Sequence, residues 1–137
     1  MATSPCLCTR LRRASRNLTR IYDEALEFAG INVAQYSLLR NLQRLDRPSI
    51  TDLAEALALD RSTLGRNLRV LEGKGLVGLG EGEDQRNRAV FLTGEGQACV
   101  ALALPAWEAV QRRMVERLGE GQRDALMALL GDVESLD

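Results

Sequence analysis

The apolar residues of the first thirty positions recur every three or four residues, which is the spacing of one face of an α-helix. They are Leu7, Leu11, Ala14, Leu18, Ile21, Ala25 and Phe28. This spacing predicts a long helix whose apolar seam needs a partner, ended by Gly30, a residue suited to the left-handed conformation after helix ends. A second helix is predicted from about Val33 and ends before Pro48, because the residue before a proline avoids helical geometry.

Between positions 49 and 75 the pattern predicts two further helices joined by a tight turn. Ser49 is a candidate N-cap for a short helix over residues 50–57, and Asp60 is a candidate N-cap for a helix that runs to about Lys74. Gly75 permits the chain to leave that helix. Two helices in this order form a helix-turn-helix, whose second helix is offered to the major groove of DNA.

A helical wheel divides the second of these helices into two faces. Leu64, Leu68 and Leu71 fall within a narrow arc and form the predicted buried stripe. The opposite face is mainly basic and carries hydroxyl groups, and the helix supplies the candidate DNA-binding residues, which are Arg61, Ser62, Thr63, Arg66, Asn67 and Arg69. Arginine pairs with guanine or grips phosphate, and hydroxyl groups donate to phosphate. A solvated helix face would satisfy the same residues, so the wheel leaves both interpretations open.

Two short apolar runs, 76–79 and 89–92, predict a β-hairpin with a polar loop over residues 80–88. The loop carries Arg86 and Arg88, and an arginine-bearing hairpin beside a recognition helix is suited to insertion into the minor groove. The acidic residues of the loop would repel phosphate unless they pair with an arginine. Asp84 is therefore predicted to orient the arginines of this loop.

The last third of the chain predicts two more amphipathic helices. Thr93 is a predicted cap for a helix over about 95–118 that carries Trp107 on its apolar side and is kinked at Pro105. The final helix begins at about Gln122, and its apolar stripe consists of Ala125, Leu126, Leu129, Leu130 and Val133. With the first helix this gives three amphipathic helices outside the hairpin region, and dimerisation is the simplest way to cover their apolar faces.

We therefore expect one domain over residues 1–137 with two parts. Residues 1–47 and 94–137 form a helical dimerisation region, and residues 48–93 form the DNA-binding region. Net charge is −1, which argues against indiscriminate coating of nucleic acid, but the first part holds eight arginines and four acidic residues (+4) while the last holds four basic and eight acidic residues (−4). This asymmetry would help the ends to pack, although solvation explains it equally well.

The absence of histidine removes most enzyme classes from consideration. Serine and cysteine nucleophile systems that use histidine, and histidine-ligated zinc sites, all need a residue that the chain lacks. No phosphate-binding glycine motif occurs, so no cofactor is predicted and no enzyme activity is expected. The longest apolar run, 98–107, is too short for a membrane span, and the first twenty residues lack a signal-peptide core, so we expect a cytoplasmic protein without a membrane partner.

Five segments taken in order resemble the MarR family of bacterial transcriptional regulators. They are 53–57 (LAEAL), 59–64 (LDRSTL), 71–77 (LEGKGLV), 84–88 (DQRNR) and 92–96 (LTGEG). The resemblance implies a mainly α (α+β) fold, a winged helix-turn-helix between terminal helices that build a homodimer on a palindromic DNA operator, usually as a repressor. It also implies that Arg86 enters the minor groove with Asp84 as its acidic partner. Ala89 stands where many members carry another arginine, which implies weaker wing contacts.

The family resemblance also implies an effector, which in most members is a small organic anion bound between the dimer helices and the winged segment. Residues 8–16 resemble the peroxide-sensing OhrR branch, whose reactive cysteine corresponds to Cys8 and whose sensing involves an oxidant. Tyr22 matches one of two tyrosines that hydrogen-bond this cysteine, whereas the second tyrosine position holds Val33. Cys8 and Tyr22 lie roughly 21 Å apart along one helix, so their contact requires a dimer.

The residues themselves leave the role of the thiols open. The helix dipole and nearby arginines favour a thiolate at Cys8, and Cys6 would resolve its sulfenic acid if the helix began in a non-helical conformation. Both thiols would instead be inert in a frayed terminus, while Cys99 is predicted to be a packing residue. Two other classes stay open: a small thiol or copper-binding protein that uses Cys6 and Cys8, and a helical interaction protein without DNA activity.

Overall fold

The computed structural model of the chain describes residues 3–80 and 88–137 and contains six α-helices and two short strands within them. In chain order they are α1 (Leu7–Leu26), α2 (Val33–Arg44), α3 (Ile50–Leu57), α4 (Arg61–Gly73), β1 (Val77–Leu79), β2 (Val90–Leu92), α5 (Gly94–Leu118) and α6 (Glu120–Glu134). The mainly helical fold with a small antiparallel sheet confirms the predicted fold class.

The predicted ends of the first two helices are nearly right. α1 gives way at Glu27 to a short 3₁₀ helix that ends in Gly30, whose φ of 76° is the left-handed conformation that glycine adopts without strain. α2 begins with a capping box, since the Asn32 side chain accepts from the Gln35 N–H and the Gln35 side chain accepts from the Asn32 N–H. This reciprocal cap fixes the corner between α1 and α2.

The helix-turn-helix forms where the caps predict it. Ser49 accepts a hydrogen bond from the Asp52 N–H at the start of α3, and Asp60 accepts one from the Thr63 N–H at the start of α4. Leu64, Leu68 and Leu71 are each at most 2% exposed, which confirms the predicted buried stripe. Because this stripe anchors α4 in the main core with Leu53, the opposite face of α4 is directed to solvent.

The predicted hairpin is an antiparallel pair in which Val77 faces Leu92 and Leu79 faces Val90. A third segment extends the sheet, because Ser49 forms an isolated bridge with Ala89 and the Val90 N–H donates to the Pro48 carbonyl at 2.9 Å. The turn before α3 is thus bonded to the base of the hairpin. This bonding joins the helix-turn-helix and the hairpin into one unit.

The two C-terminal helices differ in how they are packed. α5 begins at Gly94 with Thr93 as its N-cap, as predicted, and continues through Pro105 as one helix with Val100, Ala103 and Val110 buried. α6 begins two residues earlier than predicted, at Glu120, and none of its fifteen residues, all of which are described, is buried. The core of this chain therefore stops at α5.

Candidate nucleic-acid interface

The N-terminus of α4 is organised by the carboxylate of Asp60. Its Oδ1 accepts from the Thr63 N–H at 2.7 Å and from the Ser62 hydroxyl at 2.8 Å, while its Oδ2 accepts from the Thr63 hydroxyl at 3.1 Å. These three hydrogen bonds, with a smaller contribution from Arg66, lower the pKa of Asp60 below its ordinary value. The two hydroxyls predicted to reach phosphate therefore donate to Asp60 in the free protein, and donation to DNA requires them to rotate.

The predicted arginines of α4 share an exposed face, where they project away from the leucine stripe. Arg61, Arg66 and Arg69 are all exposed, and Asn67 is half-buried. Arg66 donates to the Thr63 hydroxyl at 3.3 Å, and Arg69 donates through Nε to the Gly65 carbonyl at 3.3 Å. Each of these contacts uses one of the five N–H donors of a guanidinium, so both arginines are oriented along α4 while donors remain for a ligand.

Of the two predicted hairpin arginines, Arg88 lies among the residues that the structure describes. Arg88 is half-buried, and its Nε donates to the Gly80 carbonyl at 3.1 Å. This bond ties the two strand ends together across the base of the loop, because the Gly80 N–H also donates to the Ala89 carbonyl at 2.8 Å. Arg86 and Asp84 lie outside the described residues, so their pairing stays a prediction.

The three cysteines are far from equivalent. Cys6 and Cys8 are exposed at the start of α1, whereas Cys99 is buried, with its Sγ 3.6 Å from the Ala29 carbonyl oxygen. Burial raises the pKa of Cys99, which agrees with its predicted packing role. Among the described residues no three side chains of the metal-binding types cluster. The structure therefore does not bring the three thiols together for a soft metal.

The pKa of the thiol is lowered at Cys6, an exposed residue that lies two residues before Cys8. Cys6 is the N-cap of α1 with extended backbone angles (φ −80°, ψ 118°), and hydrogen-bonding groups of Thr9 lower the pKa of its thiol. The reactivity of Cys8 stays a prediction. The sequence contained a signal for Cys6, because a residue at the N-cap of a helix faces the unpaired N–H groups of the first helical turn.

Tyr22 has a partner within its own chain. Its hydroxyl donates to the Oε1 of Gln111 on α5, and partial burial raises its pKa. This contact binds α1 to α5. The proposed contact between Tyr22 and Cys8 of a second chain stays a prediction.

A groove lies between α1 and the end of α4, in the region where the family resemblance implies an effector, although none of its lining residues was predicted for that role. It has a volume of about 900 Å³ and is lined by both cations and carboxylates, among them Arg16, Arg20, Asp23 and Glu27. Lys74, which follows the last turn of α4, also lines the groove, and its Nζ donates to the Gly30 carbonyl. Lys74 thus connects the end of α4 to the segment that follows α1.

Comparison with known proteins identifies this arrangement. A sequence model of the MarR family matches residues 29–86. The transcriptional regulator HosA of Escherichia coli is 31% identical over 107 residues, which cover 76% of this chain and 78% of HosA. The chain belongs to the MarR family. It is a DNA-binding transcriptional regulator and not an enzyme, as the sequence predicted.

Two further MarR-type proteins bear on the predicted site. The Mycobacterium tuberculosis regulator MosR, solved in complex with DNA, is 32% identical and matches 96% of this chain and 99% of that chain with a TM-score of 0.78. The organic hydroperoxide resistance transcriptional regulator of Bacillus subtilis is 32% identical over 91 residues, which cover 66% of this chain and 62% of that protein. This sequence similarity agrees with the resemblance to the OhrR branch. Within the described residues, no helix combines the length and hydropathy of a membrane span.

Proposed function

We propose that this MarR-family regulator acts as a homodimeric repressor that occupies an inverted-repeat operator with the exposed face of α4 and the hairpin. The observation that carries the proposal is the solvent-directed row of Arg61, Arg66 and Arg69, held in place by the Asp60 cap and the buried leucine stripe. In a dimer the two copies of α4 would lie about one turn of B-DNA apart, roughly 34–36 Å, so symmetry requires an inverted repeat.

The apolar surface that the chain leaves uncovered supports the dimer. Leu7 on α1 is 81% exposed, and Met127 and Leu129 on α6 are 62% and 60% exposed. A fifteen-residue helix with no buried residue gains little from burial, and short helices in water are marginal without tertiary packing. The basic N-terminal half of α1 and the acidic α5–α6 segment have complementary charge. A second copy covers both apolar faces and pairs these charges, with 1–47 and 94–137 as the dimerisation region and 48–93 as the DNA-binding region.

The operator is found by selecting bound sequences from a random DNA pool. We expect an inverted repeat. Arg66→Ala is expected to weaken binding and relax base preference, because arginine in the major groove reads guanine, whereas Arg86→Ala is expected to weaken binding to every sequence. Each lost phosphate contact lowers the salt slope by about one.

Arg40→Ala is the matched control, since it removes the same charge from exposed α2 surface. Its affinity and salt slope should equal those of the unaltered protein. Equal losses of Arg66→Ala on selected and random duplexes would refute base recognition by α4, and recovery of no shared sequence would refute the operator.

The dimer is tested by sedimentation equilibrium. Leu129→Ser on α6 is expected to shift the protein toward monomer and to weaken DNA binding in proportion, because two half-sites then bind separately. Val70→Ser is the control for the sedimentation measurement alone, since Val70 is 46% exposed but lies on α4, outside the terminal helices. A monomeric unaltered protein would overturn the dimer.

A small organic anion is the candidate effector for the groove beside Lys74, where cations are available to hold it alongside carboxylates such as Glu24, which pairs with Arg20. A carboxylate held by Arg16 or Arg20 would compete with the contact between Lys74 and Gly30, and so would bias the end of α4. Benzoate serves as the probe, with the thermal midpoint and operator affinity as readouts. We expect a raised midpoint that Arg20→Ala abolishes and that a matched amide, benzamide, does not reproduce. A benzoate effect unaltered by Arg20→Ala would place binding elsewhere.

Thiol oxidation is the second candidate signal, favoured by the exposed pair at the start of α1. A peroxide oxidises one thiolate, Cys8 or Cys6, to a sulfenic acid and is itself reduced to an alcohol. The other thiol then condenses with it to form a disulfide and release water. The non-helical backbone of Cys6 supplies the start that such a bridge requires. Closing it would disturb the first turn of α1 and thus the proposed dimer.

The cysteine variants separate the two signals. Cys8→Ser and Cys6→Ser should each remain on the operator in the presence of cumene hydroperoxide, while the unaltered protein is released. Cys99→Ser is the control and should be released like the unaltered protein, because its thiol is buried against Ala29. Release of both N-terminal variants by peroxide would end the thiol mechanism.

A further inference from the structure

An aromatic ring lies between a glycine and an arginine on the outer face of the small sheet. Val90 and Leu92 face the core, so Phe91 between them faces away from it. Its ring covers Gly78 on the opposite strand so closely that a Cβ atom at position 78 would lie 2.3 Å from the ring. On the outside the guanidinium carbon of Arg47 lies 4.5 Å from the ring centroid, which is cation–π distance.

The backbone of Arg47 is held in an unfavourable conformation. Its φ is 47°, in the left-handed region that few residues other than glycine adopt, and it immediately precedes Pro48. The other described non-glycine residue with positive φ, Ala58, is the C-cap of α3, a position where this conformation is ordinary. No helix end accounts for Arg47, which follows the α2 C-cap Leu45 by two residues. Such strain persists where surrounding contacts determine the conformation.

Those contacts join two parts of the DNA-binding region. The Pro48 carbonyl accepts from the Val90 N–H at 2.9 Å, and the Ile50 N–H donates to the Arg88 carbonyl at 3.1 Å. Both bonds join the segment that follows Arg47 to the segment that precedes Phe91. The stacked side chains and the backbone bonds therefore act on the same joint, between the turn before α3 and the base of the hairpin.

We propose that Arg47, Phe91 and Gly78 form a clasp that fixes the hairpin base relative to α3 and α4 and so sets DNA affinity without touching DNA. The clasp positions the hairpin, and its effect on DNA rests on the proposed function above. Arg47 is a positioning residue in this account. The competing role for an exposed arginine is a direct phosphate contact, and the two roles make different predictions.

The test uses the full-length chain with Arg47→Gly, Phe91→Leu and the double variant. Glycine suits the left-handed backbone at position 47, so Arg47→Gly removes the cation while the turn keeps its geometry. The first readout is amide hydrogen exchange at Val90 and Gly80, which needs no DNA. We expect each single variant to speed this exchange about two- to fivefold, the size of one exposed cation–π contact, and the double variant to add little more.

The second readout is affinity for the duplex recovered by selection, with its salt dependence. Each single variant should weaken binding by a similar factor with an unchanged salt slope, and the double variant should not be additive. Arg47→Lys, which keeps a cation over the ring, should restore most of the affinity. Gly78→Ala should behave like Phe91→Leu because the added methyl displaces the ring. Arg44→Ala, which removes a nearby exposed charge, should leave the exchange of Val90 unchanged.

Two results would overturn the clasp. Unchanged hydrogen exchange at Val90 and Gly80 in Arg47→Gly, Phe91→Leu and the double variant would show that the stack does not stabilise the hairpin base. A salt slope lowered by about one in Arg47→Gly, with Phe91→Leu at full affinity, would assign Arg47 to phosphate instead. If the unaltered protein selects no DNA sequence, the proposed function fails, but the exchange experiment still decides whether the clasp exists.

Discussion

Gly96, in the first turn of α5, is a position where the addition of a single methyl group is expected to destabilise the fold. A Cβ atom there would lie 2.0 Å from the Leu76 carbonyl oxygen and 3.0 Å from Cδ2 of Leu92. The oxygen belongs to backbone and cannot rotate away. It also accepts the Thr93 N–H at 3.2 Å, which joins the start of α5 to the chain before β1. Gly96→Ala must therefore move α5 away from Leu76 by about 1 Å or more, since such a contact is intolerable at van der Waals radii.

The magnitude follows from three contributions. Overpacking a filled site costs about 1–3 kcal/mol, and the strained Thr93 hydrogen bond costs about 1 kcal/mol more. The higher helix propensity of alanine offsets up to about 1 kcal/mol. We expect Gly96→Ala to lower the free energy of unfolding by about 1–3 kcal/mol, which corresponds to a fall in the thermal midpoint of about 4–10 °C for a chain of this size.

The assay is thermal and urea unfolding followed by circular dichroism at one fixed protein concentration, because association would shift the midpoint. Gly94→Ala is the matched control, since it lies in the same helical turn and a Cβ there meets nothing within 4 Å. The control should unfold within a degree or two of the unaltered protein. Gly96→Ala with the same midpoint as Gly94→Ala, or a higher one, would refute the argument from close backbone approach.

Three further predictions concern the helix-turn-helix. Ser49→Ala should lower the free energy of unfolding by about 1 kcal/mol because α3 loses its cap, whereas Ser49→Asn should keep it; equal urea midpoints for both would contradict the cap. Leu68→Ala should cost about 2–5 kcal/mol by leaving a cavity under α4, and Val70→Ala, at an exposed site, should cost little; similar losses would show that the stripe is not core. Hydrogen bonds led by the Thr63 N–H lower the pKa of Asp60 below 3.8, so its contribution to stability is complete above about pH 4 and is lost as the pH falls further. The free energy of unfolding, measured as a function of pH, should show this loss in the unaltered protein and not in Asp60→Asn. The same decrease below pH 4 in both proteins would contradict it.

Local sequence signals were sufficient for the helices that carry the candidate site. The caps at Ser49, Asp60 and Thr93 act within three residues of themselves, so a side chain and the N–H it receives are close in sequence as well as in space. The leucine stripe of α4 has the same property, because helical periodicity is a property of neighbouring residues. The recognition helix and its outward arginines could therefore be predicted without any tertiary information.

The parts that sequence reasoning missed depend on contacts between distant segments. Nothing near Lys74 indicated its contact with Gly30, forty-four residues away. The seam of α1 was predicted as buried in a partner, and in the single chain its leucines are exposed. In the proposed dimer a second molecule would cover them, and no pattern within one chain specifies the surface that does so.

The order of residues by itself determined where each helix begins and ends to within a few residues, which face of α4 is basic, and which enzyme chemistries are excluded by the lack of histidine. Tertiary structure alone decided that Arg47 lies over Phe91, that Gly78 and Gly96 must lack side chains, and that α6 remains uncovered. The physical reason is the separation along the chain between the residues that interact. Hydrogen-bonded caps and amphipathic periods are set by residues three or four apart, whereas close packing depends on where separate segments meet in space.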